Sequence, residues 1–310
     1  YIDLHCDSAT VSFDKGYSLS DAPLHVNFNK LGASGCAAQC FAIFTDGETE
    51  SRFEDYRRFF SSGVNAVESY GGLISCVQSG KTAAMLTVEN LGFTGGDLQR
   101  IAALGAGVVM ASLVWNNENA LAYPNLIMRG GVPDFSAAEG RGLKPAGRAA
   151  VELLDELKII VDVSHLSDGG TDELLKGRKI PTVASHSNAR AVCDMSRNLT
   201  DAQIKAIADC GGVVGVNFCK DFLGAGDTFD CIKRHVAHIL KIGGEDALAF
   251  GSDFDGIPTV NGLEGCEKMP ALIAYLADAF GVRITEKLCF ENFARVMREV
   301  RPLIAKSKLK

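Results

Sequence analysis

Residues 145–165 read Pro-Ala-Gly-Arg-Ala-Ala-Val-Glu-Leu-Leu-Asp-Glu-Leu-Lys-Ile-Ile-Val-Asp-Val-Ser-His, and they join a helical pattern to an apolar strand. Apolar residues recur at helical spacing over 145–157, which predicts an amphipathic helix. The run Ile159–His165 is short, apolar and rich in β-branched residues, as is typical of a strand buried on both faces. A helix that leads directly into such a strand is one unit of a parallel α/β sheet.

The same unit recurs along the chain. Further helices are predicted over 200–208 and 230–242. The segment Thr200-Asp-Ala-Gln203 resembles a capping box, and glycine pairs at 211–212 and 243–244 mark helix ends. Eight buried strands with intervening helices favour a (β/α)8 TIM barrel, formed as one domain over residues 1–310, rather than an antiparallel sandwich. The predicted strands are Ile2–Asp7, Cys36–Phe44, Thr82–Glu89, Val108–Trp115, Ile159–His165, Thr182–His186, Gly212–Phe218 and Ala247–Asp253.

Composition excludes some classes of function. The net charge is −7 over 310 residues, which argues against binding to nucleic acid, and no apolar run is long enough to span a membrane. Ten cysteines are scattered without a CxxC pair, so we interpret them as reduced thiols of a cytoplasmic enzyme. The opening residues lack the features of a secretory signal, and the sequence leaves open whether a leader was removed. The basic residues 306–310 are interpreted as a solvated helix end, and residues 116–141, rich in Asn, Gly and Pro, as a long loop over one barrel face.

Polar side chains follow the apolar run of several predicted strands. One such residue, taken alone, would be interpreted as a strand end whose side chain is held by hydrogen bonds. In a barrel, however, the carboxyl ends of the strands meet at one rim, and a buried carboxylate there is costly without a cation. Imidazole and carboxylate groups together suit a zinc-like divalent ion. The residues in question are His5, Asp7, Glu89, His165, His186 and Asp253.

Five of these residues are too many for one tetrahedral catalytic zinc, but they suffice for two ions if one carboxylate bridges them. We assign Glu89 as the bridge, with His5 and Asp7 on one ion and His165 and His186 on the other. Two such ions share a water and convert it to a nucleophile near neutral pH. The excess of positive charge would attract a substrate carboxylate and stabilise an oxyanion.

An ordered set of segments along the chain resembles the renal or membrane dipeptidase family. The resemblance implies a metal-dependent hydrolase barrel with two Zn²⁺ ions, hydrolysis of dipeptides through a metal-bridging hydroxide, some tolerance of a D-residue at the C-terminal position, and a homodimer. It also agrees with Glu89 as the bridging ligand. The segments are Asp3-Leu-His-Cys-Asp7, Gly142-Leu-Lys-Pro-Ala-Gly-Arg148, Val161-Asp-Val-Ser-His165, Ser185-His-Ser187, Ser196-Arg-Asn-Leu-Thr-Asp201, Gly251-Ser-Asp-Phe-Asp-Gly256 and Asn292-Phe-Ala-Arg-Val296.

The resemblance assigns two residues that spacing does not. Arg197 matches the arginine that holds the substrate, and its planar fork suits a carboxylate or an oxyanion. Asp253 matches the carboxylate that takes a proton from the bridging water and passes it to the leaving amine. Chemistry alone leaves Arg190 as a competitor for the first role. It leaves Asp255, predicted on the same strand face as Asp253, as a competitor for the second.

The segment Leu113-Val-Trp-Asn-Asn117 departs from the family pattern, which places a substrate-contacting histidine there. We assign Trp115 and Asn116 to substrate binding. The indole of Trp115 offers a neutral donor and a stacking face but no titratable group. The departure leaves substrate preference open. The alternatives are hydrolysis of another amide, such as an N-acyl amino acid or a β-lactam, a metal-dependent lyase or isomerase on the same barrel, and a metal-free binding protein.

Overall fold

Eight parallel strands close into a barrel in a computed structural model that describes residues 1–45, 50–105, 107–137 and 139–302. Around the barrel the order is β1-β10-β9-β8-β7-β4-β3-β2, and β5 and β6 form a separate antiparallel hairpin. The predicted (β/α)8 barrel is therefore confirmed. The strands are β1 (Ile2–Asp3), β2 (Ala38–Phe44), β3 (Ala83–Glu89), β4 (Val108–Ser112), β5 (Ile127–Arg129), β6 (Val132–Asp134), β7 (Ile160–Asp162), β8 (Val183–Ala184), β9 (Val213–Val216) and β10 (Leu248–Phe250).

Helices follow most barrel strands and cover the outside. The three predicted helices are confirmed as α6, α8 and α10, and Thr200 and Gln203 form the predicted capping box of α8. The helices are α1 (Ser8–Lys15), α2 (Phe28–Ala33), α3 (Glu50–Gly63), α4 (Tyr70–Gln78), α5 (Leu98–Ala102), α6 (Pro145–Glu156), α7 (Asp168–Leu175), α8 (Asp201–Asp209), α9 (Lys220–Leu223), α10 (Thr228–Gly243), α11 (Met269–Phe280), α12 (Val282–Glu286) and α13 (Asn292–Val300).

Two hydrophobic clusters hold the layers together. Alternate strand residues such as Ile2, Met85 and Ile160 pack in one cluster, to which α13 adds Phe293 and Met297. The other strand residues pack against the surrounding helices in a larger cluster. Burial of each such large side chain contributes about 1.5–3 kcal/mol, so the two clusters fix the positions of the strand ends.

Two sequence predictions are corrected by the structure. Residues 116–141 are not loop throughout, because β5 and β6 pair across Gly130 and Gly131. Both glycines have positive φ (59° and 84°), as a tight two-residue hairpin turn requires. Several strands also end earlier than predicted. β1 stops at Asp3 and β7 at Asp162, so residues predicted as the last of a strand lie in the turns that follow.

The remaining sequence predictions concern the termini, the thiols and the membrane. Residues 306–310 lie outside the described residues. All ten cysteines fall within the described ranges and are free thiols. Among the helices that the structure describes, none is long and apolar enough to cross a membrane.

Candidate metal centre and substrate cavity

Five predicted ligands come together at the carboxyl ends of the barrel strands. Glu89, the last residue of β3, lies at the centre of the group. Its Oε1 is 3.0 Å from Nε2 of His165 and 3.5 Å from Nε2 of His186, and its Oε2 is 3.6 Å from Nε2 of His5. Nε2 of His5 is also 3.4 Å from Oδ2 of Asp7. The two oxygens of Glu89 thus face different histidines, which is the arrangement that a bridging carboxylate requires.

Hydrogen bonds on the far side of two histidine rings direct Nε2 of each ring into the cluster. Nδ1 of His165 lies 3.0 Å from Oδ1 of Asn116, and this carbonyl oxygen accepts the ring proton. Nδ1 of His186 lies 2.6 Å from Oγ of Ser185, which in turn donates to the carboxylate of Asp162. Both rings therefore carry the proton on Nδ1 and present a lone pair at Nε2, the form that binds a metal.

The electrostatics of the cluster favour a cation. Burial lowers the pKa of His165 and of His186 well below the usual range, so both rings are neutral. Burial also lowers the pKa of His5, but neighbouring carboxylates, Glu89 foremost, outweigh it and raise that pKa to about 10. Burial raises the pKa of Glu89 to about 8. The raised pKa values of His5 and Glu89 mean that both groups hold a proton more tightly than usual, so the cluster favours added positive charge.

The donor set fits a divalent metal ion. Nε2 of His5 is buried and has no hydrogen-bond partner among the described residues, although three carboxylates lie within 3.8 Å of it. A divalent cation would satisfy this nitrogen and the carboxylates together. Donor atoms within 4.8 Å of one another form two groups, His5–Glu89–His186 and His5–Asp7–Asp253. The second group includes Asp253, which we predicted as an acid-base residue rather than a ligand.

Asp253 and Asp255 have different hydrogen-bond partners in the structure. Oδ2 of Asp253 accepts a 2.9 Å hydrogen bond from Asn217, and Oδ1 lies 3.8 Å from Nε2 of His5. Burial raises the pKa of Asp253. The carboxylate of Asp255 instead accepts hydrogen bonds from backbone N–H groups of His25 and Val26. The prediction of a shared strand face is wrong, because both residues lie beyond β10 with φ of 65° and 66°, where side-chain alternation does not hold.

Gly256 lies so close to the carboxylates of Asp7 and Asp253 that a side chain at this position would collide with both. A Cβ atom at this position would lie 2.1 Å from Oδ2 of Asp7 and 2.6 Å from Oδ1 of Asp253. Gly256→Ala must therefore displace both carboxylates, and we expect kcat/KM to fall about a hundredfold, as a misplacement of about 1 Å can cause. Metal content per chain should fall as well. Gly32→Ala is the control, since a Cβ there meets nothing within 4 Å. Full activity of Gly256→Ala would contradict the described geometry.

Arg197 and Arg190 also have different surroundings. The guanidinium of Arg190 forms two hydrogen bonds to the carboxylate of Asp168, at 2.6 and 2.8 Å, so its charge is already balanced. Arg197 is 2% exposed and donates from Nη1 to Ser187 at 2.9 Å. Its Nε and Nη2 have no partner within the ranges that the structure describes. A buried guanidinium with two unused donors is suited to an anionic group of a substrate.

A cavity of about 450 Å³ opens above the cluster. Glu89, His165 and Asp253 form part of its floor, and Trp115 and Asn116 line its wall. The ring of Trp115 packs edge-on against Phe44, with centroids 4.7 Å apart, and lies 6.3 Å from the ring of His165. The structure thus places both predicted substrate-binding residues beside the donor cluster, and Asn116 also orients a predicted ligand.

The sequence reasoning missed three supporting residues. Asn217 orients Asp253, and Ser185 and Asp162 orient His186. Each is a polar residue in or directly after an apolar run, which is itself a signal, because buried polar groups need partners. The sequence does not reveal which partner each one has.

Comparisons with known proteins bear on the fold and the family of the chain. Residues 1–310 match the model of the membrane dipeptidase family, peptidase family M19. A crystal structure of dipeptidase AC, an M19 metallopeptidase, superposes with a TM-score of 0.87 at 26% identity, over 97% of this chain and 98% of that one. A metallopeptidase from Rhodobacter sphaeroides, liganded with a phosphinate mimic of L-Ala-D-Ala, has a TM-score of 0.83 at 24% identity, over 96% and 98% of the two chains.

A sequence relative supports the same assignment. An uncharacterized dipeptidase of Schizosaccharomyces pombe is 34% identical over 206 residues. The match covers 64% of this chain and 48% of the yeast protein, so it spans about half of that protein's length. The family match, in contrast, covers all 310 residues. The chain therefore belongs to the membrane dipeptidase family, peptidase family M19, and is a metallo-dipeptidase.

Proposed function

We propose that the chain uses two zinc ions to hydrolyse the peptide bond of dipeptides and that it accepts a D-residue at the C-terminal position. The observation that carries this proposal is the buried guanidinium of Arg197, which has two donor atoms without a partner among the described residues and interacts electrostatically with Asp253 and with Glu89 of the donor cluster. A substrate with a free carboxylate near its scissile amide needs both features. The ions would be held by His5, Asp7, Glu89, His165 and His186, with Glu89 between them.

The residues of the chain have separate roles in this proposal. When bound, the ions supply Lewis acidity and lower the pKa of a bound water. Arg197 binds the anionic part of the substrate through Nε and Nη2. Asp253, held by Asn217, accepts a proton from the attacking water and delivers it to the departing amine. Trp115 and Phe44, which pack edge-on and line the cavity, offer aromatic surface for contact with the substrate.

The size of the cavity supports a small substrate. A volume of about 450 Å³ lies at the lower end of the range for small-molecule sites, which suits two amino-acid residues. The R. sphaeroides neighbour holds a mimic of L-Ala-D-Ala, and for this reason the substrate panel includes a dipeptide with a D-residue at the C-terminal position. A cytoplasmic location, a single domain over residues 1–310 and a homodimer stay predictions.

Release of amine from a dipeptide panel tests the proposed function. The purified protein, loaded with zinc, is assayed on L-Ala-L-Ala, L-Ala-D-Ala, an N-acyl amino acid and a β-lactam, with and without a chelator. We expect cleavage of both dipeptides, loss of at least about 99% of the activity in the chelator, and recovery when zinc is restored. Elemental analysis should give two zinc ions per chain. Cleavage of the N-acyl amino acid or the β-lactam with no cleavage of any dipeptide would contradict the proposal.

A further inference from the structure

Six carboxylates line the substrate cavity, and five of them are already engaged. Three belong to the donor cluster and its acid-base neighbour. The carboxylate of Asp255 accepts backbone N–H groups, and that of Asp14 pairs with Arg52 and accepts the hydroxyl of Tyr56. The sixth is Asp221, the second residue of α9. The six are Asp7, Asp14, Glu89, Asp221, Asp253 and Asp255.

Asp221 is exposed, and none of the described residues pairs with its carboxylate. In the part of the chain that the structure describes, its carboxylate accepts no hydrogen bond and forms no ion pair. No Lys or Arg is among the residues that line the cavity, and the buried Arg197 interacts electrostatically with Asp253 and Glu89 rather than with Asp221. The chain neighbour of Asp221, Lys220, does not neutralise it, because Nζ of Lys220 donates to the carbonyl of Gly226. A free carboxylate on the wall of a substrate cavity attracts a cationic group of a substrate.

Two aromatic rings line the same cavity as this carboxylate. Phe222 follows Asp221 in the chain and also lines the cavity, as does Phe135. The two rings meet edge-on, with centroids 5.3 Å apart. Ring faces attract ammonium and guanidinium groups, and rings also pack against the apolar stem that carries such a group. A carboxylate and two rings in one cavity therefore match the side chain of Lys or Arg.

The position of Arg197 indicates which end of the substrate meets this wall. Cζ of Arg197 lies 5.9 Å from the ring centroid of Phe222. If Arg197 binds the substrate carboxylate, as the proposed function has it, the C-terminal residue of the dipeptide lies on the side of the cavity that holds Phe222, the chain neighbour of Asp221. We propose that Asp221 makes the enzyme select dipeptides with Lys or Arg at the C-terminal position. This inference rests on the proposed dipeptidase function.

The test compares kcat/KM for Ala-Lys, Ala-Arg, Lys-Ala, Ala-Ala and Ala-Glu with the zinc-loaded enzyme at low salt. We expect the wild type to favour Ala-Lys and Ala-Arg over Ala-Ala by about fivefold, as a partly exposed ion pair with a ring contact can supply. Asp221→Asn should abolish this preference and leave Ala-Ala unchanged within about twofold. Asp221→Lys should transfer the preference to Ala-Glu. High salt should weaken the wild-type preference.

Asp278→Asn is the matched control, because Asp278 is an exposed carboxylate of α11 that does not line the cavity. It should behave as the wild type. Three results would overturn the inference: an equal loss on all substrates in Asp221→Asn, a preference for Lys-Ala over Ala-Lys, or no preference for a cation in the wild type. Each of these three results can be observed only if the enzyme cleaves dipeptides. Cleavage of none of them would contradict the dipeptidase proposal itself, so the two failures are distinguishable.

Discussion

Asp253→Asn is expected to lower kcat by at least about a hundredfold while the chain keeps the two metal ions that we propose, because the variant removes proton transfer but little else. Asparagine has nearly the same shape, and its Oδ1 can still accept the hydrogen bond from Asn217 that now holds Asp253. The measurement is kcat on L-Ala-L-Ala together with zinc per chain by elemental analysis. Full activity would contradict the acid-base role. Loss of metal would make Asp253 a ligand, which its 3.8 Å distance to Nε2 of His5 allows.

Asp255→Asn is the matched control for this experiment. Asp255 is two residues away and lines the same cavity, but its carboxylate is occupied by N–H groups of His25 and Val26. Replacing one acceptor oxygen by an NH₂ group leaves a donor facing donors, so we expect a lower melting temperature with kcat of the folded enzyme retained. If Asp255→Asn were inactive and Asp253→Asn active, with metal bound in both variants, the acid-base role would belong to Asp255 instead of Asp253.

The sequence predicts the barrel and the location of the metal centre well, for a physical reason. Strands buried on both faces must be apolar throughout, so each one is recognisable as a short run, such as Met85–Val88 before Glu89. Closure of parallel strands brings their carboxyl ends to one rim whatever the loops do. A polar residue directly after such a run is therefore placed at that rim without any knowledge of its neighbours.

The local backbone at these strand ends is not predictable in the same way. His165 and Asp253 have φ of 68° and 65°, in the left-handed region that residues other than glycine rarely adopt. Such conformations persist where surrounding contacts enforce them, and they cluster at functional sites. The alternation of side chains along a strand fails at these turns. It is for this reason that Asp253 and Asp255, two residues apart, face different partners.

The supporting hydrogen bonds depend on register, which the sequence does not state. Asp162 pairs with Val183 in the register of β7 and β8, and this brings its carboxylate to Ser185 and, through it, to His186. A carboxylate within Ile160–Val163 signals a buried charge that needs donors. The donors come from the next strand along the barrel. They can therefore be identified only once it is known which strands pair and in which register.

His186→Ala is expected to lower bound zinc from two ions per chain to one or fewer and to lower kcat/KM by at least about a hundredfold. Nε2 of His186 lies 3.0 Å from Nε2 of His165 and 3.5 Å from Oε1 of Glu89, so its removal leaves one predicted ion short of a ligand. Zinc per chain, measured after gel filtration in metal-limited buffer, reports the loss directly. His238→Ala is the control. His238 is a partly exposed histidine of α10 that bonds to Asp201, and its loss should change neither metal content nor activity.

Ser185→Ala separates the role of a ligand from the role of its support. The hydroxyl of Ser185 lies between Nδ1 of His186 and the carboxylate of Asp162, so its removal frees the ring to rotate but keeps Nε2 available. We expect both ions to bind at saturating zinc, with affinity lower by about 10- to 100-fold, the usual cost of losing such a partner. His186→Ala should not recover its second ion at any zinc concentration that the folded protein tolerates. An unchanged metal count in His186→Ala would contradict the ligand role, whereas equal losses in both variants would show that ring orientation, rather than the nitrogen itself, limits binding.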